Sequence, residues 1–395
     1  MGASKSGALH LAFLDGIRGL AALYVVLHHI WIGIYTRYTT SPRCSICLDA
    51  PWWTQWLRWG HLAVVVFIVV SGFSLALTPL KNDFKLPGGF MDYIHRRAVR
   101  IVPPYWVALF LSCLVVVYFT GSYTGIVVDA RAVLAHLFLV NNVVDSAKPN
   151  GVFWSIAVEW QIYFLFPLLL LICRWLGIRA MLMGTVALVV LVYALATQHE
   201  RIAALLGLAS GSLAVLAKLL YLRPQFLALF AFGVAAAHVY VRQADGPQLP
   251  WAALGTLLTT VTLALLWIVP TATFERDFFW IDLLTGVSAA AVMAGFAQRR
   301  SALANLLSGP VPGWLGQSSY SLYLIHVPVL QIILFGVLSR FALEADARFL
   351  LALAFITPVC VLAARGFWRV CELPFMRHRT LHGLRSAFLR WRAVT

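Results

Sequence analysis

Three hundred ninety-five residues ordinarily make two or three soluble domains, but 61% of these are hydrophobic and only 11% charged, against about 25% charged in a soluble globular chain. With a mean hydropathy of +0.84 and apolar runs of about 20 residues recurring from end to end, a soluble enzyme, a disordered chain and a secreted disulfide scaffold are all excluded. The net charge of +15 does not point to nucleic acid, because the basic residues gather in short connections between apolar runs and in the last 20 residues, as in a positive-inside membrane protein.

The fold class expected is all-α: a polytopic transmembrane helical bundle of about ten spans with both termini cytoplasmic. Spans are expected near 17–36, 61–80, 102–120, 155–174, 179–197, 225–242, 251–269, 278–297, 318–338 and 348–370. The first run is too long for a signal-peptide h-region and lacks a small-residue cleavage site, so it reads as a retained span. Residues 132–142 are too few to cross as a helix. Residues 201–221 are long enough but contain Gly207, Ser210, Gly211, Ser212 and Lys218.

Charge bias decides that segment. If 201–221 does not cross, Lys81, Lys85, Arg96, Arg97, Arg100, Arg174, Arg179, Arg242, Arg299, Arg300 and the C-terminal tail all share one side. The stretch 198–224 is therefore expected on the external side, as a re-entrant segment at most. The domain division expected is 1–375 for the membrane-embedded part and 376–395 for a basic amphipathic cytoplasmic tail. In that tail Leu381, Leu384, Phe388 and Trp391 recur at helical spacing among Arg385, Arg390 and Arg392.

Ionisable groups inside spans are costly and usually face a cavity or the bundle interior. In the first span, LDGIRGLAALYVVLHHIW, Arg18 and His29 are eleven residues apart. That is three helical turns within about 20°, so they share a face about 16.5 Å apart, while His28 points about 100° away. Two buried histidines that merely hydrogen-bond within the bundle are the competing reading. Ser71, Gly72 and Ser74 in FIVVSGFSLAL suit either close helix packing or substrate contact. In YIHRRAVRIVPPYW, Arg97 and Arg100 stand at i and i+3, a pair of rigid donor forks suited to phosphate or to lipid headgroups.

Ser155, Glu159 and Tyr163 form one polar stripe in FWSIAVEWQIYFLFP. A carboxylate there must be protonated or paired, and a structural ion pair with an arginine competes with a catalytic role. Ser319, Tyr323 and His326 share a face in SSYSLYLIHVP, and Glu372 precedes Pro374 in CELPF. Cys44 and Cys47 form a CxxC without the second ligand pair a structural zinc site needs; a local disulfide and two free thiols both fit.

Together and in this order, these motifs resemble the acyltransferase 3 family of integral membrane acyltransferases. The likeness runs from LDGIRGLAALYVVLHH through SGF, RRAVRIVPPYW, FWSIAVEWQIYFLFP, FAFGVAAAH at 230–238 and SYSLYLIH to ELPF. It implies a multi-pass protein of the inner (plasma) membrane, in the stand-alone form without an appended esterase-like domain. The implied reaction is transfer of an acyl group from cytoplasmic acyl-CoA, acetyl-CoA foremost, to a hydroxyl of a glycan, glycolipid or secondary metabolite. The partners are then acyl-CoA, the acceptor and the lipid bilayer, with no nucleic acid, no metal and no tightly bound cofactor. Arg18 and His29 match the family's Arg-x10-His pair, and Arg97 and Arg100 its RxxR motif.

On that reading His29 is the general base, with an acyl-histidine intermediate as a variant. Arg97 and Arg100 anchor the nucleotide phosphates, with Ser71 and Tyr105 placed beside the donor, and Arg18 orients the pantetheine arm or thioester. Glu159 either fixes the histidine tautomer or balances an arginine. Tyr163, Tyr323 and His326 are expected to meet the acceptor. A transporter or flippase is the competing class, against which stand the lack of repeated halves and of matched midplane charge pairs.

Overall fold

The computed structural model describes residues 11–35, 50–120, 126–242, 249–269, 278–298 and 301–378, and all regular structure among them is helical. The CxxC and the tail beyond residue 378 lie outside the described residues. In chain order α1 is Ala12–Tyr35, α2 Gly60–Leu80, α3 Gly89–Val115, α4 Ala130–Leu137, α5 Trp154–Thr197, α6 His199–Leu205 and α7 Gln225–Val241. There follow α8 Trp251–Ile268, α9 Phe279–Gln298, α10 Ala302–Leu307, α11 Pro310–Gln317, α12 Ser319–Gly336, α13 Ala345–Phe367 and α14 Leu373–His378.

Among the described residues nine helical stretches are long and apolar enough to cross a bilayer. The fourth serves twice. Its helix α5 holds 44 residues, which at 1.5 Å per residue is about 66 Å, twice a hydrocarbon core of about 30 Å. Gly177 divides it with φ 86° and ψ 167°, a conformation that only glycine adopts without strain. Counting α5 as two gives the ten crossings expected, with Arg174 and Arg179 flanking the break.

The doubtful segment 201–221 is no single helix. It is α6, seven residues long, and a 3-10 helix Ala214–Leu222 of nine, each too short to cross. Gly207 and Gly211 turn the chain between them at φ 69° and 82°. The Glu200 carboxylate closes that turn, accepting from Ser210 Oγ at 3.0 Å and from the Gly211 N–H at 3.4 Å. Residues 132–142 likewise give only the eight-residue α4, capped by Asp129 accepting from the Ala132 N–H at 2.7 Å.

The chain packs as two units. One comprises Met1–Arg18, Val65–Gly89 and Ile162–Gly316, the other Gly19–Val64, Phe90–Gln161 and Gln317–Thr395. In the first, α9 packs on both α8 and α7. There is little hydrophobic driving force between helices in lipid, so close backbone approach through small residues does the work. Gly255 and Gly295 let α8 meet α9, and Gly72 and Gly233 let α2 meet α7: a Cβ at Gly72 would overlap the Phe230 carbonyl, and one at Gly233 the Val69 carbonyl. Backbone cannot retreat as a side chain can. Gly72→Ala is therefore expected to cost at least about 1–3 kcal/mol of stability, the usual range for overpacking, read as a lower melting temperature in detergent. An unchanged melting temperature would show that the α2–α7 crossing is looser than described.

In the second unit α12 packs on α13, and a 3-10 helix, Trp52–Trp59, precedes α2. With three residues per turn, Thr54 and Leu57 fall on one face, and these are its buried residues. Trp52, Trp53 and Trp56 are left exposed. Thr54 Oγ1 accepts from Trp31 Nε1 on α1 at 2.9 Å.

Candidate active site

The second unit brings together His28, His29 and His326. On α1 the two neighbours part company, as their 100° offset requires. His28 is buried, with Nδ1 2.7 Å from the Leu57 carbonyl, and its ring packs against Gly60, where a Cβ would overlap it. A carbonyl only accepts, so His28 donates from Nδ1 and is tied to the 3-10 helix Trp52–Trp59.

His29 turns the other way and is only partly buried. Its Nδ1 lies 2.8 Å from the Val25 carbonyl one turn back. The same logic puts the proton on Nδ1 and leaves Nε2 with a free lone pair. The His326 ring lies 4.9 Å from the His29 ring, with His326 Nε2 3.4 Å from His29 Nδ1.

His326 is fully buried on α12, and its Nδ1 is 2.8 Å from the Tyr323 carbonyl. Tyr323, on the same face, donates its hydroxyl to the Val152 carbonyl at 3.0 Å and lies 2.7 Å from Ser155 Oγ on α5. Pro328 has no N–H, so it leaves the Leu324 carbonyl without its helical partner. Asn150 Nδ2 fills that vacancy at 3.4 Å and also reaches Ser112 Oγ on α3 at 3.1 Å, while Asn150 Oδ1 accepts from the Val152 N–H. Sequence reading missed Asn150, which lies in a loop with no periodicity; the His-x-Pro of α12 was the available hint that a carbonyl there needs an outside donor.

Arg97 and Arg100 lie half-buried on α3. The charges of Arg97 and Glu159 both act on Tyr93, Glu159 also acts on Tyr323, and Arg100 acts on Glu372. Glu372 is 1% exposed, sits in a π-helical turn Trp368–Glu372 and accepts from Ser321 Oγ at 2.6 Å. Arg100 thus has a buried carboxylate within electrostatic reach, while Arg97 and Glu159 both lie near Tyr93. Tyr105 is buried against Phe153, ring centroids 4.8 Å apart.

The remaining candidates belong to the first unit. Arg18 donates from Nη2 to Ser74 Oγ at 2.8 Å and from Nη1 to Asp15 at 3.4 Å. Asp15, three residues earlier on α1, carried no sequence signal of its own. Ser71 Oγ and Tyr163 Oη are 3.2 Å apart. So the structure joins Ser71 to Tyr163 and joins Ser155, Tyr323, His326 and His29, each set within its own unit.

The second unit thus carries a partly buried histidine whose Nδ1 is held by a carbonyl and a half-buried arginine pair on α3. The profile of the acyltransferase 3 domain, described as an acyltransferase domain, matches residues 11–365. This chain belongs to the acyltransferase 3 family. As an acyltransferase 3 protein it is similar to YrhL of Bacillus subtilis, which carries the provisional name peptidoglycan O-acetyltransferase. The two are 26% identical over 341 residues, 81% of this chain and 48% of YrhL. A provisionally named O-acetyltransferase of Staphylococcus aureus, SAR0937, is 23% identical over 96% of this chain and 58% of its own length. The O-acetyltransferase OatA of Staphylococcus aureus is 28% identical over 41% of this chain and 25% of OatA. The chain thus spans about half the length of the relatives it matches most fully. No solved structure matches it.

Proposed function

We propose that this multi-pass acyltransferase 3 protein moves an acyl group, acetyl foremost, from acyl-CoA to a hydroxyl of a saccharide or glycolipid. The name of one relative, YrhL, favours peptidoglycan as acceptor. The observation that carries the reading is the 2.8 Å contact of His29 Nδ1 with the Val25 carbonyl: a carbonyl only accepts, so the proton sits on Nδ1 and Nε2 is left to accept one. The acceptor oxygen gives its proton to His29 Nε2 and bonds to the thioester carbonyl carbon. The carbon–sulfur bond then breaks, and the thiolate of CoA leaves, taking the proton back from the His29 imidazolium and restoring the base. Both termini are assigned to the cytoplasm from the charge bias of the connections, and the protein to the inner (plasma) membrane from its family.

The donor is anchored by Arg97 and Arg100, whose guanidinium forks suit the nucleotide phosphates, with Tyr105 of the same unit assigned to the same ligand. Glu159 is assigned to balancing Arg97, and Tyr323 to acceptor contact. The test is purified protein in lipid nanodiscs with isotope-labelled acetyl-CoA and a panel of glycan fragments and lipid-linked saccharides, read by mass spectrometry. Labelled ester on a hydroxyl, with stoichiometric free CoA, is the expected result. Acyl-CoA left intact with every acceptor, by protein of normal melting temperature, would overturn the reading.

A further inference from the structure

We propose that His326 is a positioning residue for His29, accepting the hydrogen bond that holds and charges the base, and does not itself bind the acceptor. The inference rests on His29 being the base. His326 is fully buried and its Nδ1 faces two backbone carbonyls, those of Tyr323 at 2.8 Å and Leu322 at 3.2 Å. Carbonyls only accept, so neutral His326 carries its proton on Nδ1 and presents an unprotonated Nε2. That lone pair lies 3.4 Å from His29 Nδ1, which bears the other proton by the same argument. The Nδ1–H of His29 is therefore shared between the Val25 carbonyl and His326 Nε2.

When His29 Nε2 takes the proton of the acceptor hydroxyl, the ring becomes an imidazolium and its Nδ1–H a stronger donor. The bond to His326 then strengthens as charge develops, and an interaction stronger in the transition state than in the ground state accelerates the step. A buried imidazole here takes the place a carboxylate holds behind the histidine of a Ser-His-Asp triad. The rigidity of the arrangement comes from α12 itself: the ring is fixed by its own helix, the Tyr323 hydroxyl by Val152, and the Leu324 carbonyl by Asn150. The Cys360 thiol on α13 points to the His326 carbonyl, 3.9 Å away. Complete burial leaves His326 no surface for a saccharide, whereas His29 is partly exposed.

Three variants of position 326 separate the roles, each compared with wild type in steady-state transfer and in melting temperature. His326→Leu keeps the volume and loses the acceptor; it is expected to lower kcat about 10–100-fold, the worth of one charge-assisted hydrogen bond, with KM for acetyl-CoA and acceptor unchanged. His326→Gln places an amide where Nε2 stood and is expected to recover most of that loss. His326→Asn places its amide nearer the backbone, short of His29, and is expected to behave as Leu does. If Leu fails to fold, the Gln and Asn pair alone decides.

Because His326 acts through His29, the double variant His29→Ala/His326→Leu should turn over at the rate of His29→Ala alone. A raised acceptor KM with preserved kcat in the Leu variant, or equal losses in Gln and Asn, would overturn the proposal. So would additive losses in the double variant. The parent reading fails separately: if His29→Ala turns over normally there is no base to position, whereas an inactive His29→Ala beside a fully active His326→Leu sinks only the role of His326.

Discussion

Replacing His29 by alanine is expected to lower the transfer rate about 10²–10⁴-fold, the usual worth of a general base, while acyl-CoA binding stays as in wild type. The expectation follows from two neighbours with opposite surroundings. His28 donates to the Leu57 carbonyl and packs against Gly60, so it ties α1 to the 3-10 helix Trp52–Trp59. His28→Ala leaves that carbonyl unpartnered and opens a cavity, a folding defect of about 1–3 kcal/mol. His29 anchors Nδ1 to its own helix, and on the proposed reading Nε2 takes the acceptor's proton. Single-turnover transfer measured beside donor binding in equally folded variants separates the two. A dead His28→Ala next to an active His29→Ala would reverse the assignment.

The second large effect concerns the donor. Arg97→Ala and Arg100→Ala are each expected to weaken acetyl-CoA binding about 10–100-fold, since charge-assisted hydrogen bonds contribute about 1.5–3 kcal/mol apiece. Lysine at either position should recover only part, because a point charge lacks the bidentate fork. The phosphates must displace existing electrostatics: Arg100 acts on the buried Glu372, and Arg97 and Glu159 both act on Tyr93. Arg100→Ala therefore leaves a 1%-exposed carboxylate without that cation and should also lower the melting temperature. Titration of the folded variants with a fluorescent CoA analogue reads the affinity. Wild-type affinity in the folded double alanine variant would remove the pair from the donor site.

Span positions were legible because bilayer thickness fixes helix length: the runs at 225–242 and 251–269 became α7 and α8 within a residue or two of their expected ends. The Ser155–Glu159–Tyr163 stripe was equally legible, since helical period alone places three residues on one face. Its partners were not: Ser155 meets Tyr323 and Tyr163 meets Ser71, pairings between segments far apart in sequence that periodicity cannot encode. The parting of His28 from His29 was readable from their 100° offset. The tautomer of His29 was not, because it depends on which backbone carbonyl the ring reaches. Asn150 was invisible for a related reason: its role is to serve a carbonyl that a proline elsewhere in the chain had left idle.

The single-residue break at Gly177 bears on how the chain is made. Two membrane crossings joined without a soluble loop leave the ribosome almost back to back, with no polar stretch at which the insertion machinery could release the first before receiving the second. They are expected to enter the lipid as a pair. For the same reason a tag or foreign domain spliced at that junction would have no aqueous loop to occupy, unlike one placed between α2 and α3, where exposed residues Lys81–Asp83 form a connection that water already solvates.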